Sequence, residues 1–87
     1  MIKLADRRLK INVQLTGTSD SGINIYTFEF KDCQYGCGLF QGVMSDEVSA
    51  DVVSTDADGY IMVNYAMIDV EFKKLEDYSL YEGNPSE

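Results

Sequence analysis

The chain has no histidine, no tryptophan, one proline, two cysteines and only seven basic residues in 87. The missing histidine removes most general-base, triad and zinc arrangements at once. Imidazole is the side chain that exchanges protons near neutrality and the commonest metal ligand. A nucleophile at Cys33 or Cys37 would lack its usual imidazole partner and would sit in an acidic stretch that disfavours the thiolate. The CxxxC spacing has no second pair, so a four-ligand structural zinc site is incomplete. No enzyme, no cofactor and no metal are therefore expected.

Two cysteines also fall short of the dense framework of a small secreted domain. In an extended strand their spacing is about 13 Å, well beyond the roughly 4.4–6.8 Å that a disulfide spans between Cα atoms, so a bridge requires a tight loop through Gly36. The expectation is two reduced thiols, and with them the cytoplasm of a host cell. Long apolar runs are absent too. The longest uncharged run, Cys33 to Ser45, is glycine-rich and too short to cross a bilayer. The basic start, Met1 to Lys10, leads into a segment broken by Asn12 and Gln14 and not into the apolar core of a signal peptide. A soluble, non-exported chain with no membrane partner is expected.

What the chain does have is acid. Fifteen Asp and Glu against seven Lys and Arg give a net charge of -8. Residues 1–31 carry Lys3, Arg7, Arg8, Lys10 and Lys31 against three acids. Between Asp32 and Phe72 no basic residue occurs, while eight acids do. Such a surface repels nucleic acid and anionic membranes and attracts basic clefts, so direct nucleic-acid binding is disfavoured. Arg7, Arg8 and Lys10, with Lys73 and Lys74, read as rim charges or guards of strand edges.

With 45% hydrophobic residues the chain has the composition of one folded domain. Its expected extent is 1–78, with residues 79–87 as a tail pinned by Tyr78, Leu80 and Tyr81. Leu9, Ile11, Val13 and Leu15 alternate with polar residues at the period of a half-buried strand, which places Val13 in the core. Turn formers at 17–22 then lead to a second strand, Ile23 to Phe30, with Tyr26, Phe28 and Phe30 on one face. Segment 33–44 reads as a bent or bulged strand because of Gly36, Gly38 and Gly42. A strand from Val48 to Ser54 follows, then a turn at 56–59 and a long central strand over Tyr60 to Leu75, interrupted only by Asn64. The fold class is all-β, about five strands in a small antiparallel sandwich or partly open barrel. The alternative is α+β with one short helix near 45–53.

Ser54 to Ile61 partly resembles the calcium loop of EF-hand proteins in Asp56, Asp58, Gly59 and Ile61. It departs from that loop at Ser54, where the first ligand would stand, and at Tyr65 in place of the bidentate Glu. A polar hairpin turn is the expected reading. The pairs Asp56/Asp58 and Asp69/Glu71, two residues apart, would each project from one face of a strand about 6.6 Å apart and present charge in a row. Tyrosine supplies contact area at low entropic cost. Asp46, Glu47, Asp51, Asp56, Asp58, Tyr60, Tyr65, Asp69 and Glu71 are therefore the candidate partner-binding residues.

In size, acidity and fold class, with no shared motif, the chain resembles small phage-encoded inhibitors such as anti-CRISPR proteins and uracil-DNA glycosylase inhibitors. That resemblance implies a non-enzymatic protein that blocks a basic site on a partner, such as a nucleic-acid-handling complex. The competing expectation is a small β-rich structural subunit of a virion or similar assembly, in which short β-domains associate through strand edges or flat faces.

Overall fold

The computed structural model describes residues 1–77, which form an all-β arrangement of two small antiparallel sheets. The strands are β1 (Ile2–Leu4), β2 (Lys10–Thr18), β3 (Asn24–Phe30), β4 (Gly38–Gly42), β5 (Val53–Thr55), β6 (Ile61–Asn64) and β7 (Lys73–Asp77). One sheet has the order β1-β6-β5 and the other β2-β3-β4-β7. None of the described residues is in an α-helix. Segment 45–53, expected as strand or short helix, instead makes single 3-10 turns at Ser45–Glu47 and Ala50–Val52, and the strand begins only at Val53. No helix of the described residues is long and apolar enough to cross a membrane.

The β2–β3 hairpin forms where alternation and turn formers place it, with Ser19 to Ile23 closing the turn through Ser19 N–H to the Ile23 carbonyl at 2.8 Å. The expected long strand over Tyr60 to Leu75 is two strands with a turn between them. Asn64 ends β6 because its side-chain oxygen accepts from the Ala66 N–H at 3.1 Å, and a 3-10 turn at Tyr65–Met67 follows. An Asx side chain that satisfies a nearby N–H competes with the ladder and stops it. Strand β1 was not anticipated. It pairs with β6, Leu4 opposite Met62 and Ile2 opposite Asn64. The tail expected at 79–87, and Tyr78, Leu80 and Tyr81, lie outside the described residues.

Two apolar clusters fill the space between the sheets. Phe28, Phe30, Phe40 and Leu9 form one, and Ala5, Val43, Val52, Val63, Tyr65 and Val70 the other; Phe72 packs against both. The rings meet edge to face or offset, Phe30 against Phe40 at 5.2 Å and Phe28 against Phe30 at 5.4 Å, as their quadrupoles favour. Glycine makes two of these approaches possible. A Cβ on Gly38 would overlap the Glu76 carbonyl of β7, and its φ of 142° suits glycine alone; a Cβ on Gly42 would stand 2.5 Å from the Tyr65 hydroxyl.

The thiols are not free. Cys33 and Cys37 form a disulfide across a loop that includes Gly36, with Cα atoms 4.5 Å apart. The 3-10 turn at Cys33–Tyr35 curls the chain enough to bring together residues that an extended strand would hold apart.

The faces of β2 also differ from expectation. Asn12 adopts a φ of 53°, and the register with β3 shifts between Ile11 and Gln14. Only Lys10 of this strand is buried; from Ile11 to Thr18 both faces are exposed, on an edge strand that pairs with β3 alone. Val13 is 37% exposed and Leu15 62%, while Lys10, read as a rim charge, is 4% exposed. Its ammonium donates to the Val43 carbonyl at 2.8 Å and stands 3.9 Å from the Phe28 ring centre. Burial brings the lysine down to about 7, with the Arg7 charge acting in the same direction.

Two outcomes follow from this placement. Val13→Asp is expected to leave the domain folded at a cost under about 1 kcal/mol, against about 3–5 kcal/mol for Phe28→Ala, as read by urea denaturation. For Lys10 the folded group loses its proton near pH 7 and the unfolded one near 10.5, so between those values the unfolded chain binds more protons and stability rises with pH. The ring beneath the ammonium recovers part of the burial cost, so a gain of about 1–3 kcal/mol from pH 7 to 10 is expected. Tyr65, which burial pushes up to about 12, opposes the trend only above pH 10. Lys10→Met should flatten the slope in the same titration.

Candidate functional site

The candidate residues fall into three groups. The first is the 3-10 turn at Ser45–Glu47, which follows β4 and faces the Arg7–Leu9 turn between β1 and β2. Ser45 N–H donates to the Ala5 carbonyl at 2.9 Å. Arg7 then reaches both acids, with Nη2 3.2 Å from Asp46 Oδ1 and 3.3 Å from Glu47 Oε2. Glu47 also accepts from the Tyr26 hydroxyl at 2.9 Å. This pair is held in a network and is not a bare row of charge. Asp51, exposed in the next 3-10 turn, makes no ion pair among the described residues.

The second group is the β5–β6 turn. Asp56 folds it, its Oδ1 accepting from the N–H groups of Asp58 at 3.0 Å and Tyr60 at 2.9 Å. This is the polar hairpin turn that the sequence suggests. One Asp56 oxygen is committed to backbone donors, and no three metal-ligating side chains converge among the described residues. Asp58 stands exposed at the tip. Tyr60 is half-buried, edge to face with Tyr35 at 6.3 Å and capped by the Arg8 guanidinium at 5.2 Å.

The third group follows β6. Asp69 accepts from Ser21 Oγ at 2.6 Å and from the Ser21 N–H at 2.9 Å, which holds its carboxyl below the usual range and ties this loop to the β2–β3 turn. Glu71 lies 3.9 Å from Lys73. Both acids line an open cleft of about 460 Å³ with Met1, Ile68 and Phe72. Residues 69–72 are not a strand, so Asp69 and Glu71 do not form the expected ladder. Tyr65 does not belong to a contact surface. It is 6% exposed, and its hydroxyl accepts from the Val43 N–H at 3.0 Å inside the core.

The residue that positions the first two groups is Asp6, 3% exposed and unmarked by the sequence reading. It caps the Arg7–Leu9 turn through the Arg8 N–H at 2.9 Å, pairs with Arg8 Nη2 at 2.7 Å and accepts from the Ile61 N–H at 3.0 Å. Arg8 in turn donates to the Gly59 carbonyl at 3.1 Å, in the acidic turn itself. The Arg8 side chain, with the Arg8 and Ile61 N–H groups, holds the Asp6 carboxyl well below its ordinary range. A capping acid directly before Arg-Arg was the available signal, since Asp at an N-cap accepts from the N–H two residues on. Asp6, Asp46 and Glu47 pair with Arg7 and Arg8, and Arg8 also holds the turn that carries Asp56 and Asp58, so five carboxylates against these two arginines and the buried Lys10 leave this end net negative. Comparison with protein-family models, curated proteins and solved structures returns no match.

Asp6→Asn leaves Arg8 without its buried partner and is expected to cost about 2–4 kcal/mol at pH 7. Because the folded carboxyl is depressed, its contribution is present above the ordinary 3.8 and fades as pH falls below it. The gap between variant and parent in urea midpoints should therefore narrow at pH 3.

Proposed function

We propose that the chain is a non-enzymatic interaction protein whose acidic end docks on a basic site of a partner protein and blocks it. The observation that supports this reading is the surplus of carboxylates around Asp6, where Arg7 and Arg8 are already paired and Asp58 projects from the turn tip. A fixed surplus of this kind steers association with a positive surface and repels a negative one. Tyr60, held between Arg8 and Tyr35, offers a rigid aromatic edge beside it. The partner class is a nucleic-acid-handling protein, whose groove carries the complementary charge, and the setting is the cytoplasm of a host cell, as for phage-encoded inhibitors of the anti-CRISPR type. The Cys33–Cys37 bridge is the feature that speaks for an oxidising compartment instead.

A second reading has its own observation. Strand β2 is a sheet edge, carries no charge from Ile11 to Thr18 and leaves Ile11, Val13 and Leu15 exposed. Edges without charged guards pair with other chains, as a structural subunit of a virion or similar assembly requires.

Salt separates the two. For a partner captured from bacterial lysate, the docking reading expects affinity to fall about tenfold or more between 50 and 300 mM salt (roughly a halving of the Debye length), and DNA to compete. Replacing Asp46, Glu47, Asp51 and Asp58 together by Asn or Gln should weaken that binding by about 2 kcal/mol or more with the fold intact. Salt-insensitive capture of the chain's own copies, unchanged by those substitutions, would favour the structural subunit.

A further inference from the structure

The chain's scarce cations are not evenly spread, and two of the seven, Lys3 and Lys74, line the same groove. Between the β1 edge of the three-stranded sheet and the β7 edge of the four-stranded one runs a groove of about 400 Å³. Its floor is aromatic, with Phe40 stacked on Phe72 at 5.5 Å and edge to face with Phe30 at 5.2 Å. Leu4 and Met62, opposite each other in the β1–β6 pair, form the apolar wall. Lys3 stands over the Phe72 ring at 5.4 Å, and Lys74 over the Phe40 ring at 5.5 Å. Among the described residues no carboxylate lines this groove. Lys74 has one acidic neighbour, Asp77 on its own strand at 3.3 Å, and Lys3 makes no ion pair among the described residues.

We infer that this groove is a binding site for a small amphipathic organic anion, with a flat apolar body and one carboxylate or sulfonate. The apolar body lies against the Phe30, Phe40 and Phe72 floor, and the anionic group meets Lys3 and Lys74 at the rim. Pockets of this size with an apolar lining and a few convergent polar groups are how proteins hold such molecules. The ammonium groups already stand over ring faces, so an anion meets Lys3, which has no ion pair among the described residues, and shares Lys74 with Asp77, without drawing long side chains out of free solvent. The groove adjoins the acidic end through Tyr35, which packs on Tyr60, but its two lysines and its phenylalanine floor are no part of that end, so the inference stands without the docking reading.

The test uses 8-anilinonaphthalene-1-sulfonate as the anionic probe and N-phenyl-1-naphthylamine as its neutral counterpart. Saturable one-to-one fluorescence enhancement is expected for the sulfonate, with the neutral amine binding about tenfold more weakly at low salt. Amide shifts in the nitrogen–proton correlation spectrum should centre on Tyr35, Gly36, Phe40, Phe72 and Lys74. The double variant Lys3→Gln, Lys74→Gln should lose about tenfold in sulfonate affinity and keep that for the amine, its dispersed spectrum showing that it folds. Equal affinity for both probes, shifts centred elsewhere, or an unaffected double variant would overturn the assignment. Self-association that moves the same amides without probe would give the groove to a second copy and overturn it as well.

Discussion

The junction between the two sheets rests on one buried carboxylate. The chain leaves β1 in one sheet and enters β2 in the other within five residues, and Asp6 lies at the crossing. It holds the first turn by its cap, the side chain of Arg8 by an ion pair, and β6 by the Ile61 N–H. Ala5 beside it completes the seam, donating to the Ile61 carbonyl at 3.0 Å and accepting from Ser45. A charge in so closed a place is tolerated because each contact is a hydrogen bond to a charged or strongly polar group. Removing any one of them leaves the rest with an unmet cost.

From that seam the acidic end takes its shape. Arg8 spans from Asp6 to the β5–β6 turn and lies over Tyr60, while Arg7 collects the Asp46–Glu47 turn. The two arginines organise acidic loops and do not guard a strand edge. Acid that would repel itself is pinned at fixed positions around two surface arginines, and the excess faces outward. The basic residues outside this cluster include Lys10, sealed under Val43 and against Phe28, and Lys3 and Lys74, over aromatic rings. Several of the seven cations thus have a structural setting, whereas acids such as Asp51 and Asp58 stand exposed.

The hairpin β2–β3 was legible because two local signals agree there, turn formers at 17–22 and β-branched or aromatic residues on either side. The aromatic face of Tyr26, Phe28 and Phe30 was legible for the same reason, since nothing interrupts its period. In β2 that reasoning fails because alternation shows a strand but not what packs on it: Lys10 is buried, Ile11 to Thr18 are exposed on both faces of an edge strand, and the left-handed Asn12 breaks the register. The long apolar stretch after Tyr60 concealed a break because Asn64 looks like one polar residue in a strand until its side chain takes the Ala66 N–H. The Cys33–Cys37 bridge was misjudged from a distance that holds only for extended chain. Among candidate residues, the acids of the 45–52 segment and the β5–β6 turn are exposed or half-exposed as a contact surface needs. Tyr65 is not, since apolar burial and a useful aromatic contact leave the same mark in sequence. Asp6 escaped notice, and Arg8 was read as a rim charge, because their importance comes from partners as far along the chain as Gly59 and Ile61.

The account turns on Asp6 being ionised and fully bonded at the seam. Carbon-detected NMR titration of its carboxyl measures that directly. The account requires the Asp6 signal to show no inflection near the ordinary 3.8 and to remain that of a carboxylate well into the acid range, with the Ile61 amide unmoved over the same interval. An Asp6 that titrates near 3.8, with Ile61 and Gly59 indifferent to it, would mean that the seam is held by packing alone and that the acidic end has no fixed geometry.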